Sequence, residues 1–197
     1  MTDPRPRWFT AHGEGHADWY VERFRRMAAE GADLDGEARF MDAMLTRGSR
    51  VLDAGCGPGR VAGALHRRGH EALGVDVDPA LIAAAEVDHP GPRYLVQDLA
   101  ALHLDEPPFD AAVLAGNVLV FVTPGSEPEV LRRVAAHVRP DGVVVTGFGT
   151  DRGYALADFD KHAAAAGLVL EHRFATWDLR PWRDDAPWAV TVLRVPA

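Results

Sequence analysis

The heptad Asp53-Ala54-Gly55-Cys56-Gly57-Pro58-Gly59 narrows the fold more than any other stretch of the chain. Glycine at every second position lets the backbone take positive φ and lets a ligand pass close by with no Cβ in the way. Ahead of it, Val51-Leu52 follow Gly48-Ser49 as a short apolar run, which suits a strand buried on both faces of a parallel sheet and closed by Asp53. Behind it, Pro58 begins a first helical turn, where its missing N–H costs nothing, and the free N–H groups that follow attract carboxylates and phosphates. The pattern predicts a helix from about Arg60 to Arg68, with Val61, Ala64 and Leu65 on one face and Gly69 as its stop. The chain re-enters the sheet as Ala72-Leu73-Gly74-Val75 and ends on Asp76, 21 residues after Gly55. Nucleotide-binding α/β folds place a ribose-binding acid at about this distance.

Glycine-rich strand-to-helix turns serve several ligands. A dinucleotide site wants G-x-G-x-x-G, but counting from Gly55 the last position is Arg60. A phosphate loop wants G-x-x-x-x-G-K-[ST], and Lys161, the only lysine, is far away. A turn that merely lets helix and strand pack is the plain alternative, and the carboxylate of Asp76 weighs against it. What remains, D-x-G-x-G-x-G with an acid ending the next strand, resembles motif I and its partner in the class I S-adenosylmethionine-dependent methyltransferases.

That resemblance covers roughly residues 45–195 and implies an α/β fold. It is a doubly wound, seven-stranded, mostly parallel sheet with helices on both faces and a C-terminal antiparallel strand. It implies S-adenosyl-L-methionine as cofactor, with S-adenosyl-L-homocysteine as product. Its cofactor site falls on Asp53, Gly55, Cys56 and Gly57 at the turn, Asp76 and Val77 after the second strand, and Asp98 and Leu99 after the third, where an acid accepts from the adenine amino group. Ala115, Gly116 and Asn117, past the fourth strand, flank the reactive methyl. The N-P-P-[YFW] signature of amide-methylating enzymes is absent, which disfavours those substrates. Residues 1–35 are expected to fold as a helical lid over a cofactor-binding domain spanning 36–197. Two rivals are a non-catalytic cofactor-binding module of the same fold and, disfavoured by Arg60, an NAD(P)-dependent oxidoreductase.

Composition limits the partners. With 197 residues the chain suits one well-built core. The formal net charge of −8 argues against nucleic acid, whose binders present a basic face. Cys56 is the only cysteine, so no intrachain disulfide forms, and it reads as a small residue filling a tight turn. No apolar stretch is long enough to span a bilayer and the N-terminus is not signal-like, so no membrane and a cytoplasmic location are expected. No inserted substrate domain is evident, so the acceptor is expected to be a small molecule. It would lie between the N-terminal lid, the segment after Ala115 and a loop bearing Trp177, Trp182 and Trp188, with a homodimer partner as a candidate to complete the pocket.

Along the rest of the chain, Ala17 to Glu30 reads as a helix with Tyr20, Phe24 and Met27 on one face, and residues 36–47 as another with Phe40, Met41 and Met44 inward. His12 and His16 form an H-x-x-x-H pair, but Gly13 and Gly15 lie between them and no third ligand is evident, so no metal is expected. Asp78-Pro79 opens a helix carrying Leu81, Ile82 and Ala85, and Tyr94-Leu95-Val96 is the third strand, with Asp98 also able to cap the short turn after it. Phe109 to Val122 contains the fourth strand; Ser126 and Glu129 read as a capping box for a helix with Val130, Leu131, Val134 and Val138 inward; residues 139–142 turn into a fifth strand, Val143 to Gly147. After a helix at 155–166, Leu168 to Trp177 and Trp188 to Val195 lack room for a crossover and are expected to pair antiparallel. If the acceptor requires a base, the polar candidates near the methyl are His12, His16, Asn117 as an orienting group, and Asp178.

Overall fold

Alternation of short apolar runs with amphipathic stretches builds one sheet covered on both sides. The computed structural model describes residues 5–197, so residues 1–4 of the expected lid lie outside the described residues. The strands are β1 (Arg50–Ala54), β2 (Glu71–Asp76), β3 (Arg93–Val96), β4 (Phe109–Leu114), β5 (Val138–Gly149), β6 (Val169–Phe174) and β7 (Trp188–Arg194). Their order is β3-β2-β1-β4-β5-β7-β6; β7 runs antiparallel to both neighbours and the other pairings are parallel. The chain winds outward from β1 to β3, then crosses back to β4 on the other side of β1. The reversal leaves a crevice at the carboxyl ends of β1 and β4, where open α/β sheets bind ligands.

The helices are α1 (Arg7–Thr10), α2 (His16–Ala29), α3 (Gly36–Met44), α4 (Arg60–Arg67), α5 (Pro79–Asp88), α6 (Val118–Phe121), α7 (Glu127–Ala136) and α8 (Leu156–Ala165). Strand side chains alternate between two cores, as the pleat requires. Val51, Ala111, Val113 and Val145 meet Phe40, Met41, Leu65 and Ile82 of α3, α4 and α5. Leu52, Ala54, Ala112 and Leu114 meet Leu131, Val134 and Phe159 of α7 and α8. No helix among the described residues is long and apolar enough to cross a membrane.

Several expectations need correction. α1 was not foreseen. α3 stops at Met44 because Leu45 turns extended, so Met44 is left 38% exposed while Phe40 and Met41 are buried. The capping box does not form: Ser126 already has helical φ/ψ, its hydroxyl donates to Thr123 O (2.7 Å), and Glu129 is taken by Arg132 and Arg133. Val138 belongs to β5 rather than α7, and the turn at 139–142 is an irregularity inside that strand, with Asp141 at φ 61.

Candidate functional site

The three glycines of the turn have left-handed φ for different reasons. A Cβ on Gly59 would sit 2.7 Å from Ala85 Cβ, so this glycine serves helix packing. Gly55 and Gly57 line a cavity of about 550 Å³ at the crevice, and a Cβ on Gly55 would also meet the Val118 side chain at 2.6 Å. The N–H groups of Gly55 and Cys56 donate to Val75 O (2.7 and 3.0 Å), which ties the turn to β2.

Asp76 ends β2 on the wall of that cavity. Its Oδ2 accepts from Gly57 N and its Oδ1 from Asp78 N, both at 2.9 Å. Burial pushes its carboxyl above the ordinary range, against the pull of those N–H groups. Each oxygen keeps a lone pair for a further donor. Next to it, Asp78 caps α5 through Ala80 N (2.9 Å) and accepts from Trp8 Nε1 (2.7 Å), so α1 is fastened beside the Asp76 carboxylate.

Of the other residues expected at a cofactor, Val77, Asp98, Leu99, Gly116 and Asn117 line the cavity. Asp98 also caps the single 3-10 turn Leu99–Ala101 through Ala100 N (2.8 Å). Gly116 has φ 67 and nothing within 4 Å of where a Cβ would point, so its side faces open space. Asn117, at φ 68, is a tether: its N–H donates to Gly147 O (3.0 Å) and its Oδ1 accepts from Gly149 N (2.8 Å).

Asp53, Cys56 and Ala115 are not on the cavity wall. Asp53 turns beneath the glycine turn, where its Oδ2 accepts from Ala62 N (2.9 Å) and burial pushes its carboxyl up to about 7. It shapes the start of α4 rather than facing the cavity. Cys56 is buried, with burial holding its thiol well above the usual range. Ala115 packs against the core below.

The far end of the cavity is aromatic. Trp8 and His12 come from α1 and its exit, His16, Trp19 and Tyr20 from α2, and Phe121 from α6. The rings of His12 and His16 stack at 3.7 Å with 22° between planes, and Trp19 continues the stack on His16 at 5.3 Å and 21°. Trp8 lies 4.8 Å from His16 and 5.4 Å from Tyr20. Burial, and the charge of His12 second, lower the pKa of His16. Tyr20 reaches over the glycine turn, 3.7 Å from where a Cβ on Gly57 would be.

The tryptophan loop goes elsewhere, which corrects the expected acceptor wall. Trp177 packs edge-on against Phe40 (5.4 Å), Trp182 under Arg173 (5.6 Å), and Trp188 opposite Gly149 in the sheet. None of the three lines the cavity. The apolar surface of α3 claims Trp177. Asp178 is exposed and bonded to the Thr176 hydroxyl, which with Arg180 nearby holds its carboxyl below the usual range. It does not meet His12, His16 or Asn117.

Sequence reasoning missed a charged wall on the α2–α3 side. Arg60 forms a fork with Glu37 (2.8 and 2.6 Å), also donates to Leu34 O, and both side chains are 16% exposed. Arg23 lies one turn beyond Tyr20 and lines the same cavity. Its guanidinium is over Phe24 at 5.5 Å and has no ion-pair partner among the described residues. The i, i+3 spacing of Tyr20 and Arg23 was the available signal. Among the described residues no group of three or more His, Cys, Asp or Glu side chains converges on a metal position.

With this geometry in hand, a family model described as a methyltransferase domain matches residues 51–142. The solved structure of a TehB-like SAM-dependent methyltransferase from Corynebacterium glutamicum superposes with a TM-score of 0.89 at 41% identity, covering 93% of this chain and 100% of that one. Malonyl-(acyl-carrier protein) O-methyltransferase of Salmonella typhimurium is 34% identical over 108 residues, 52% of this chain and 42% of that protein. Trans-aconitate 2-methyltransferase of Methylobacterium nodulans is 32% identical over 132 residues, 64% of this chain and 48% of that protein. The chain therefore spans less than half the length of these two curated relatives.

Proposed function

Because this chain belongs to the class I S-adenosylmethionine-dependent methyltransferases, we propose that it transfers a methyl group to a small-molecule acceptor held under its N-terminal segment. The supporting observation is one cavity that gathers the Gly55–Gly57 turn, Asp76, Asp98 and Gly116 at one end and a ring-lined wall at the other. Its volume of about 550 Å³ falls within the usual range for a ligand pocket, and the open space over Gly116 suits a cofactor that would not tolerate a Cβ there.

When bound, S-adenosylmethionine supplies an electrophilic methyl on a sulfonium. In this reading the two oxygens of Asp76 accept from the ribose hydroxyls, the Gly55–Gly57 backbone lets the amino-acid portion pass close by, and Asp98 accepts from the adenine amino group. Arg23 offers the counter-charge to the methionyl carboxylate, since the fork of Arg60 is spent on Glu37. The segment up to residue 35 acts as a lid. Trp8 ties it to Asp78 and the Arg7 N–H donates to Val122 O (3.3 Å), which joins it to α6. Methyl transfer is an in-line displacement, so excluding water and holding the acceptor at near-attack distance carries much of the rate.

Calorimetry with S-adenosylhomocysteine, followed by transfer of labelled methyl to a panel of small acceptors, tests the reading. Binding with turnover is expected; binding without turnover on any acceptor would favour the non-catalytic module instead.

A further inference from the structure

Resting on the methyl-transfer reading, we propose that the acceptor is a flat, conjugated molecule with an acidic hydroxyl or thiol as nucleophile, a phenol or a heteroaryl thiol, and that His16 removes its proton.

The first argument is the wall itself. Beyond the cofactor end, α1, the first turns of α2, and α6 present the rings of Trp8, His12, His16, Trp19, Tyr20 and Phe121. His12, His16 and Trp19 lie nearly parallel in one stack, and a wall of such rings favours offset stacking of a planar ligand over a branched aliphatic one.

The second argument is the idle nitrogens. Three histidines of the fold are bonded, His70 to Asp42 (2.9 Å), His137 to Leu104 N and Arg133 O (3.0 and 2.8 Å) and His162 to the Tyr154 hydroxyl (2.8 Å), while the rings of His66, His89, His103 and His172, outside the cavity, have no hydrogen-bond partner among the described residues. Among the described residues His12 and His16 have no hydrogen-bond partner, although both face the cavity. Their rings stack at 3.7 Å. His16 is the more buried of the two, and burial first and His12 second lower its pKa, so it stands neutral with a ring nitrogen open to a proton.

The third argument is the sign of the local charge. The carboxylates on the cavity wall are Asp33, Glu37, Asp76 and Asp98, all on the cofactor and α3 side. The acceptor side carries His12, His16 and Arg152, the last ion-paired with Asp151 (3.8 Å), and among the described residues puts no carboxylate on the cavity wall. With a sulfonium opposite, this end disfavours an ammonium and favours an O–H or S–H group that ionises as it reacts. The charged and titratable groups around His16 are His12, Tyr20, Arg23, Asp76, Arg152 and, through Trp8, Asp78.

The step balances. The acceptor O–H or S–H gives its proton to the free ring nitrogen of His16, and its lone pair forms the bond to the methyl carbon. The C–S electrons return to sulfur, leaving a neutral thioether, and the imidazolium proton passes to solvent.

The test uses the whole chain loaded with S-adenosylhomocysteine for binding and with S-adenosylmethionine for turnover. Tryptophan quenching is expected with phenols and heteroaryl thiols but not with aliphatic amines or aliphatic carboxylic acids, and turnover is expected to follow the same order. The phenol and thiol arms, run separately, identify the nucleophile. For an acceptor ionising near pH 10, kcat/KM should rise with pH to a plateau governed by a group below the ordinary histidine value of 6.5. His16→Gln should lower that kcat/KM by about 10²-fold or more and abolish the rise. For an acceptor already ionised below about pH 5, the same variant should lose less than about fivefold, since no proton remains to be removed. Equal losses on both acceptors, or cofactor binding with turnover confined to amines or aliphatic acids, or with no aromatic compound quenching or reacting, overturn the inference while leaving the cofactor assignment standing. Absence of S-adenosylhomocysteine binding overturns the functional reading beneath it. The acceptor panel and the pH profile need no variant.

Discussion

Replacing Asp76 with alanine strips one carboxylate of four tasks. In the structure its oxygens accept from Gly57 N and Asp78 N at 2.9 Å each, and the remaining lone pairs are the ones assigned to two ribose hydroxyls. Hydrogen bonds to a charged group contribute about 1.5–3 kcal/mol each, and the two ribose bonds share one buried charge, so a loss of about 3–4 kcal/mol in cofactor binding is expected. At 1.4 kcal/mol per decade this is a 10²–10³-fold weaker Kd for S-adenosylhomocysteine by calorimetry. Asp76→Asn, which keeps one acceptor oxygen, should lose about half as much free energy. The two backbone N–H groups left without a partner cost about 1 kcal/mol apiece, so Asp76→Ala should still fold, which its melting curve checks. The pH dependence supplies an independent reading. The Asp76 carboxyl is raised in the fold, chiefly by burial, so its ionisation is a strain on the ligand-free protein. Its contribution to ligand-free stability is full below the unfolded carboxylate value and is lost as pH rises through the folded one. Cofactor affinity has the opposite sign, falling as acid neutralises the acceptor. An Asp76→Ala protein that binds within about threefold of the original, with an unchanged pH profile, would refute the ribose assignment.

Other outcomes follow from particular residues. Arg23→Gln should weaken S-adenosylhomocysteine by about tenfold or more yet leave adenosine, which has no carboxylate, unchanged in the same titration; equal losses would remove Arg23 from the carboxylate. Gly59→Ala should melt markedly lower, since it combines left-handed φ with a contact at 2.7 Å from Ala85. Gly116→Ala should cost only about 1 kcal/mol of stability and show its main effect as lost cofactor binding, because its Cβ enters open cavity. Asp53→Asn should flatten the stability profile in denaturant titrations. The rise of its carboxyl to about 7 from 3.8 corresponds to roughly 4 kcal/mol of stability present in acid and lost as pH climbs through 7.

Much of the site was legible because it is local. The spacing from Gly55 to Asp76 spans one strand, one turn and one helix, whose lengths are set by hydrogen-bond periodicity, so residues adjacent in this unit meet in a known way. Asp53 shows where local reasoning stops: it closes β1 as expected, yet its side chain turns to Ala62 beneath the turn, because a strand residue's facing depends on register with β2 and β4. The capping box at Ser126 failed for a local reason instead, since Glu129 pairs with Arg132 and Arg133 along its own helix rather than reaching back to a backbone N–H.

The sequence alone determined the order of the strands along the chain, the glycine turn that opens on the cavity and the antiparallel finish. Each depends on contacts between neighbours in the chain or on loops too short to allow another path. Which aromatic residues meet the cavity was decided only in three dimensions. Trp8 and Trp177 are equally apolar, but α1 is drawn over the crevice by Asp78 and Val122, while Trp177 is drawn onto Phe40 beside α3. Burial of an aromatic ring is favourable against any apolar surface and carries no direction of its own, so the choice falls to the docking of distant elements.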